Sequence, residues 1–319
     1  MLRLLPFSAL DLARWDACLA ASPGAPPYAQ ARWLAATAGR WAAVVELGPA
    51  GEYCSLLPLP YKWRPRGRVG YQPPFTQQLG LVLTPASQHP NLAEYLALAA
   101  QFCSSFYQQL APGASPLCLP PGWLATERCT YHLDLSASYE ALHAAYAPDY
   151  RRRLRRNSQA ALPLVVTAAA GIAEQVALVD ELIELFLTYK PSAATGLRPR
   201  HYSALRRLHS GFCAAAELRQ VRHPGSGELL AGALFIKHAG GVVYPFAAAS
   251  AAGRAAGAPL LLLDDALRRH AGQPGQVFDF EGGSRPEIGR FFANFGARPV
   301  LYPAVSYSRP PWFFVWKRP

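Results

Sequence analysis

Two spacings of apolar residues alternate along the chain, one returning every three or four positions as a helix requires and one alternating or continuous over four to eight residues as a strand requires. The first half opens with a helix over about Ala9–Ala20 and a second near Ala29–Thr37, parted by the turn-rich segment 22–28. Strand patterns follow at 41–47, 53–63 and 69–83, punctuated by Gly and Pro. An amphipathic helix is expected from Leu92 to Leu110, since Leu92, Tyr95, Leu96, Ala99, Phe102, Cys103 and Phe106 keep helical spacing. Short strands at 116–120 and 130–136 close the half. The second half begins with a helical stretch, 138–161, broken at Pro148, and a strand at 162–169. Helices over Ala173–Tyr189 and Arg200–Cys213 come next, the former with Val176, Val179, Leu182, Ile183 and Phe186 along one face. Strands at 215–223, 227–239 and 241–250 lead through a glycine-rich loop to a helix at 258–272. A strand at 277–282, a short helix through 288–295 and a strand at 298–308 complete the pattern.

Both halves run helices, three successive strands of antiparallel character, a helix, then further strands. The order suggests a duplication, although no residue-level repeat accompanies it. A chain of 319 residues also suits two cores of about 150 residues each. The expected domains are 1–136 and 137–319, with the last strand able to pack on the first domain. The fold class is α/β in the broad sense (α+β), with mixed, mainly antiparallel twisted sheets flanked by helices.

Composition narrows the classes of function. The chain is 51% hydrophobic, evenly spread, which fits a globular fold and not disorder. No apolar run reaches the roughly 20 residues of a membrane helix, and Asp11, Arg14 and Asp16 interrupt the N-terminal apolar patch before a secretion signal is complete. Six cysteines lie scattered without CxxC or zinc-type spacing, and no histidine pair has HxxxH spacing, so no metal site is expected. These features together imply reduced thiols and a cytoplasmic location. The 31 Lys and Arg exceed 20 Asp and Glu, a formal charge of +11. Such a surplus suits phosphate-bearing partners, and it equally follows from a GC-rich genome.

Five segments carry candidate chemistry. In Val277–Ala297, alternation sends Phe278 and Phe280 to one face of a strand and Asp279 and Glu281 to the other, where the acids could orient an amine or take its proton. The alternative is that they pair with Arg285 or Arg290 and only fasten the turn. The glycine-rich loop with Arg254, Gly257 and Ala258 precedes a helix opening near Pro259, and backbone N–H groups there could cradle an anion; an ordinary strand-to-helix loop has the same composition. In 150–159, Arg151 with Arg155 and Arg152 with Arg156 stand at i,i+4 spacing, a concentration of charge that an anion would relieve. Gln77 and Gln78, near a double proline, suit either an amide-bearing or sugar-like ligand or a hydrogen-bonded turn. Tyr244, in the strand before the glycine loop, is a candidate acid for a leaving group, or a packing residue.

Arg254-Ala255-Ala256-Gly257-Ala258 after two strands resembles the pyrophosphate-binding motif of GNAT acyltransferases, Arg/Gln-x-x-Gly-x-Gly/Ala, with Pro259 in place of the last small residue. Together with 74–80, 150–159, 227–250 and the late Phe-Asp-Phe-Glu-Gly and Phe-Phe-Ala-Asn-Phe-Gly strings, the chain from about Tyr28 onward resembles the bacterial FemAB-like branch of that superfamily. The resemblance implies two tandem GNAT-like domains and an acyltransferase moving an acyl or aminoacyl group from acyl-CoA or aminoacyl-tRNA to an amine. It implies no metal. Glu281, Asp279 and Tyr244 become the expected catalytic residues, and Arg254, Gly257, Ala258 and Arg290 the donor-binding ones. Gln77, Gln78, Arg152, Arg155 and Arg156 are the expected contacts to substrate or anion, with a small-molecule or cell-envelope precursor as acceptor and tRNA as a further partner. Phe292 stands where cross-bridge-forming relatives carry a lysine, and Arg290 is the nearest cation. A catalytically degenerate pair of domains that binds an anionic ligand or partner is the alternative.

Overall fold

The computed structural model describes residues 1–113, 118–189 and 197–309. The chain forms two compact units, one of Met1–Arg128 with Leu301–Pro319 and one of Cys129–Val300. Each is a mixed sheet with helices packed on it, the class expected from the sequence.

In the first unit β1 (Leu2–Pro6), β2 (Trp41–Leu47), β3 (Tyr53–Arg64) and β4 (Gly67–Gly70) pair antiparallel in succession. Helices α1 (Leu12–Ala20) and α2 (Ala31–Thr37) precede β2, and β5 (Val82–Leu83) attaches to β3. After α3 (Leu92–Phe102), strand β6 (Ser105–Gln109) returns parallel to β4, and β13 (Arg298–Ser308) pairs antiparallel with β6 from Ser308 back to Ala304. Helix α3 ends eight residues before the helical periodicity does. Ser105–Gln109 gains two strand neighbours, and those pairings override the local spacing of Cys103 and Phe106. The 69–83 pattern also contracts, to β4 and β5. Residues 114–117 of the expected strand at 116–120 lie outside the described residues, and 118–120 have no regular structure.

The second unit repeats this order. Its strands run β8 (Val166–Ala168), β9 (Ala216–Arg222), β10 (Leu229–His238), β11 (Gly241–Ala249), β12 (Val277–Asp279) and then the end of β7 (Trp123–Asp134). Pairings are antiparallel except β11 with β12. One sheet face carries α6 (Ile172–Tyr189) and α7 (Tyr202–Gly211), with Phe186 and Tyr202 against Phe246. The other face carries α4 (Tyr139–Ala144), α5 (Pro148–Ser158) and α9 (Ala258–His270) over a core of Ala231, Ala233, Phe235, Val242, Phe278 and Phe280. Phe280 lies 4.7 Å from Phe292 and 4.8 Å from Phe278, ring centroid to centroid, so aromatic packing ties α10 (Pro286–Ala293) to the strand before it.

The glycine-rich segment is helical. Ser250 caps α8 (Ala251–Ala256) by accepting the Gly253 N–H at 2.9 Å, and Gly257 at φ +83° pivots the chain into α9. Gly253 crosses β10 so closely that a Cβ there would stand 2.0 Å from the Leu230 carbonyl oxygen. Among the described residues no helix is long and apolar enough to cross a membrane, and no group of His, Cys, Asp and Glu could hold a metal ion.

Because backbone cannot yield as a side chain can, Gly253→Ala should destabilise the second unit by about 1–3 kcal/mol, read as a lower denaturation midpoint at unchanged m-value.

Candidate functional site

Strands β11 and β12 part company. Their ladder holds only Gly241 with Val277, Val242 with Phe278 and Val243 with Asp279, after which β11 continues to Ala249 with no pair to β12. The cause is local. On the other side of β11 the register slips between Leu234 and Ile236, whose partners are Phe246 and Val243, so Tyr244 and Pro245 together oppose Phe235. An extra residue and a proline with no N–H bend a strand there. Past Val243 and Asp279 the two strands no longer pair: β12 ends at Asp279 while β11 runs on to Ala249.

The β11 wall ends in α8, Gly257 and the start of α9. Pro259 has no N–H, and Leu260 and Leu261 donate to the Gly257 carbonyl at 3.0 and 3.2 Å, so the helix start offers the Ala258 N–H at most. The compensating charge comes from Arg153 on α5. A Cβ on Gly257 would lie 3.2 Å from Arg153 Nη2, so the guanidinium rests on the glycine. Arg254 turns back instead, donating to the Ala249 carbonyl at 2.6 Å with its guanidinium 5.3 Å from the Tyr189 ring. Helix α5 explains the selection among its arginines. Tyr150, buried with its hydroxyl donating to the Phe291 carbonyl at 3.2 Å, fixes an inward face that Arg153 and Leu154 share one turn on. Arg152 pairs with Asp149, and Arg155 and Arg156 are exposed.

On the β12 wall, Asp279 is a fastened carboxylate. Its Oδ1 accepts from Thr130 Oγ1 at 2.6 Å and from the Glu281 N–H at 2.9 Å, and its Oδ2 lies 3.3 Å from His132 Nε2. The Asp279 side chain is 11% exposed and that of His132 27%. Thr130 and His132 reach it because β7 pairs antiparallel with β12, His132 opposite Asp279. Glu281 takes φ +50°, rare for a side chain with a Cβ. His238, opposite Gly241 in the ladder, is pulled down to about 4 by burial, with the Asp279 charge opposing the shift. Its neutral Nδ1 accepts the Gly240 N–H at 3.1 Å.

Other expected residues lie elsewhere. Tyr244 stacks on Phe235 at 5.2 Å, on the sheet face opposite Asp279, and burial pushes its phenol well above the usual range. Arg290 is exposed on α10, while Phe292 is buried in the aromatic core. Gln77 and Gln78 belong to the first unit, where Gln78 is buried and donates to the Gln77 side chain at 3.2 Å. That unit also holds a cavity of about 490 Å³ beside Pro23, Leu83, Asn91 and Pro112, and none of the expected site residues lines it. Sequence reasoning missed two groups, Arg153 and His132. The inward periodicity of Tyr150, Arg153, Leu154 and Asn157 could have singled out the first; no local signal marks the second.

Residues 146–287 match the family model described as an acetyltransferase (GNAT) domain, a stretch that includes Arg153, Gly257, Asp279 and Glu281. No curated protein matches the chain in sequence. In fold it is similar to the crystal structure of FemX, at TM-score 0.67 and 12% identity, over 99% of this chain and 100% of that one. A tandem GNAT protein from the clavulanic acid biosynthesis pathway matches at TM-score 0.54 and 15% identity, over 98% and 99%. L-PGS from Bacillus licheniformis matches at 0.59 and 13%, over 96% and 94%. At these identities the likeness is one of fold, and it is the tandem GNAT-like fold expected from the sequence.

His238 binds a proton near pH 6.5 when unfolded and only near 4 when folded. Stability should therefore fall as pH drops from about 6.5 toward about 4, and in His238→Gln the denaturation midpoint should vary less across that window.

Proposed function

We propose that the second unit transfers an acyl or aminoacyl group from an activated carrier, acyl-CoA or aminoacyl-tRNA, to an amine on a small-molecule or cell-envelope precursor. The observation that carries the reading is the end of β11–β12 pairing at Val243 and Asp279, with Arg153 over Gly257 beyond one strand and the Asp279–His132 pair at the end of the other. The GNAT-domain match over residues 146–287 supports it.

A gap between two strands opens to both faces of a sheet, so carrier and acceptor can enter from opposite sides and meet at the reacting carbonyl. The β11 edge beyond Val243 offers backbone groups, free of β12, to an amide-bearing carrier. Arg153 and the Ala258 N–H supply positive charge where carrier phosphates would lie. On the opposite wall the attacking amine must lose a proton. Asp279, held by Thr130 and the Glu281 amide, sets its charge 3.3 Å from His132 Nε2 and the other ring nitrogen takes that proton, while Glu281 just past the strand positions the amine. The new C–N bond forms as the bond from carbonyl carbon to the carrier sulfur or oxygen breaks, and the leaving group carries away the electron pair. Positioning and one base suffice for this chemistry.

A second reading, binding without turnover, draws on Pro259 at the helix start and on Phe292 in the core. It predicts carrier binding with no product.

The test is a panel of acyl-CoAs and aminoacyl-tRNAs, read by thermal shift and, with amine acceptors, by carrier release. A carrier should raise the melting temperature, and Arg153→Ala should weaken its binding about tenfold or more, the worth of one charge-assisted contact. His132→Asn and Asp279→Ala should lower kcat by about 10² or more with carrier affinity retained. Absence of both binding and release across the panel would remove the basis of the reading, and binding without release would establish the second.

A further inference from the structure

Between Tyr53 and Ala93 the sequence contains no Asp or Glu, and all of its Lys and Arg fall within one short segment as Lys62, Arg64, Arg66 and Arg68. That segment is the β3–β4 hairpin, turned at Pro65 and Arg66, in which Lys62 pairs with Val69, Trp63 with Arg68 and Arg64 with Gly67. Alternation puts Trp63 and Arg68 on one face and Lys62 and Arg64 on the other. The first face is preorganised. The Arg68 guanidinium lies 4.7 Å from the Trp63 ring and 4.4 Å from the Phe102 ring, and Tyr61 meets Phe102 edge-on at 5.1 Å. Trp63 nonetheless remains 53% exposed. Arg64 donates only to the Trp63 carbonyl, and no carboxylate pairs with Arg64, Arg66 or Arg68 among the described residues. Ser104 gives its N–H to the Arg68 carbonyl and accepts that of Arg309, which brings a further exposed arginine to the hairpin base.

An indole held in place by a stacked guanidinium has already lost much of its rotational freedom, so a flat partner can stack on it at small ordering cost. The Lys62 and Arg64 backbones, two residues apart on one strand face, are spaced by roughly 6.8 Å, comparable to successive phosphates of an extended strand, and the Lys62 ammonium stands 3.6 Å from the Tyr71 ring centroid. From this geometry we propose that the β3–β4 hairpin binds a single-stranded polynucleotide that crosses the edge of β3 beyond Pro60, where the ladder with β2 ends, with phosphates against Lys62, Arg64 and Arg66 on one side and a base on Trp63 on the other. Stacking plus a line of cations is how such strands are held without sequence preference. An anionic membrane would answer the same charge. However, anchoring in lipid scales with buried apolar surface, and this tip offers one indole and one proline. The site lies in the first unit and uses none of the residues assigned to transfer; a tRNA carrier is the one ligand the two readings share, so release from acyl-CoA tests the transfer and oligonucleotide anisotropy tests the hairpin.

The experiment is fluorescence anisotropy of short fluorescein-labelled oligouridylate and oligothymidylate with the full chain, over a salt series. Binding should weaken with salt, and each of Lys62→Gln, Arg64→Gln and Arg66→Gln should flatten the log–log slope by about 0.7. Trp63→Ala should lose about tenfold in affinity and Trp63→Phe much less, since stacking survives in the smaller ring. Should Trp63→Ala fail to fold, the exposed cation variants and Trp63→Phe carry the test. The proposal is overturned if neither oligonucleotide binds, if binding ignores these substitutions, or if phosphatidylglycerol vesicles bind through the hairpin and the oligonucleotides do not.

Discussion

The candidate site rests on a mismatch in one strand. Tyr244 and Pro245 on β11 face a single residue of β10, and the strand must bend to absorb the difference. With an even register β11 and β12 could pair along their length, and backbone hydrogen bonds would fill the space where a carrier is proposed to lie. Proline secures the bend twice over, by fixing its own φ and by having no N–H to give to a ladder.

The first unit shows what the same order of elements does without that opening. There β4 and β6 also pair in parallel, at Val69 and Ser105, but the chain after β4 occupies the neighbouring edge. The Gln72 side chain accepts the Gln109 N–H at 3.0 Å and donates to the Thr76 carbonyl at 2.7 Å, while the Leu79 N–H donates to the Gln109 carbonyl at 2.7 Å. Duplication of architecture thus does not duplicate the site. The double proline at 73–74 lies in an insert that the Gln72 side chain ties to Thr76 and Gln109.

Much of this was legible because burial imposes spacing. The strands at 41–47, 215–223, 227–239 and 241–250 and the helix at 258–272 showed their periods plainly, and the face that alternation gave to Phe278 and Phe280 is the core face, although the strand itself stops at Asp279. Failures came where long-range pairing or ambiguous composition decided. Leu2–Pro6 is a strand because Trp41–Leu47 is beside it. Ala251–Ala256 reads as a loop if its glycines are weighed and as a helix if its alanines and the capping serine are. Asp279 was visible as chemistry, but its role was not, since Thr130, which holds it, lies 149 residues away, and His132 meets it through the same strand pairing.

Membership of the strands has a consequence for how the polypeptide is made. The first unit takes Leu301 to Ser308 from the far end of the chain, where they close against β6, and the second takes Cys129 to Asp134 from before its own helices, where they close against β12. During synthesis β6 lacks that neighbour until the polypeptide has been made as far as Ser308. Cutting the gene at its midpoint would leave one product missing its final strand and the other missing the residues that grip Asp279.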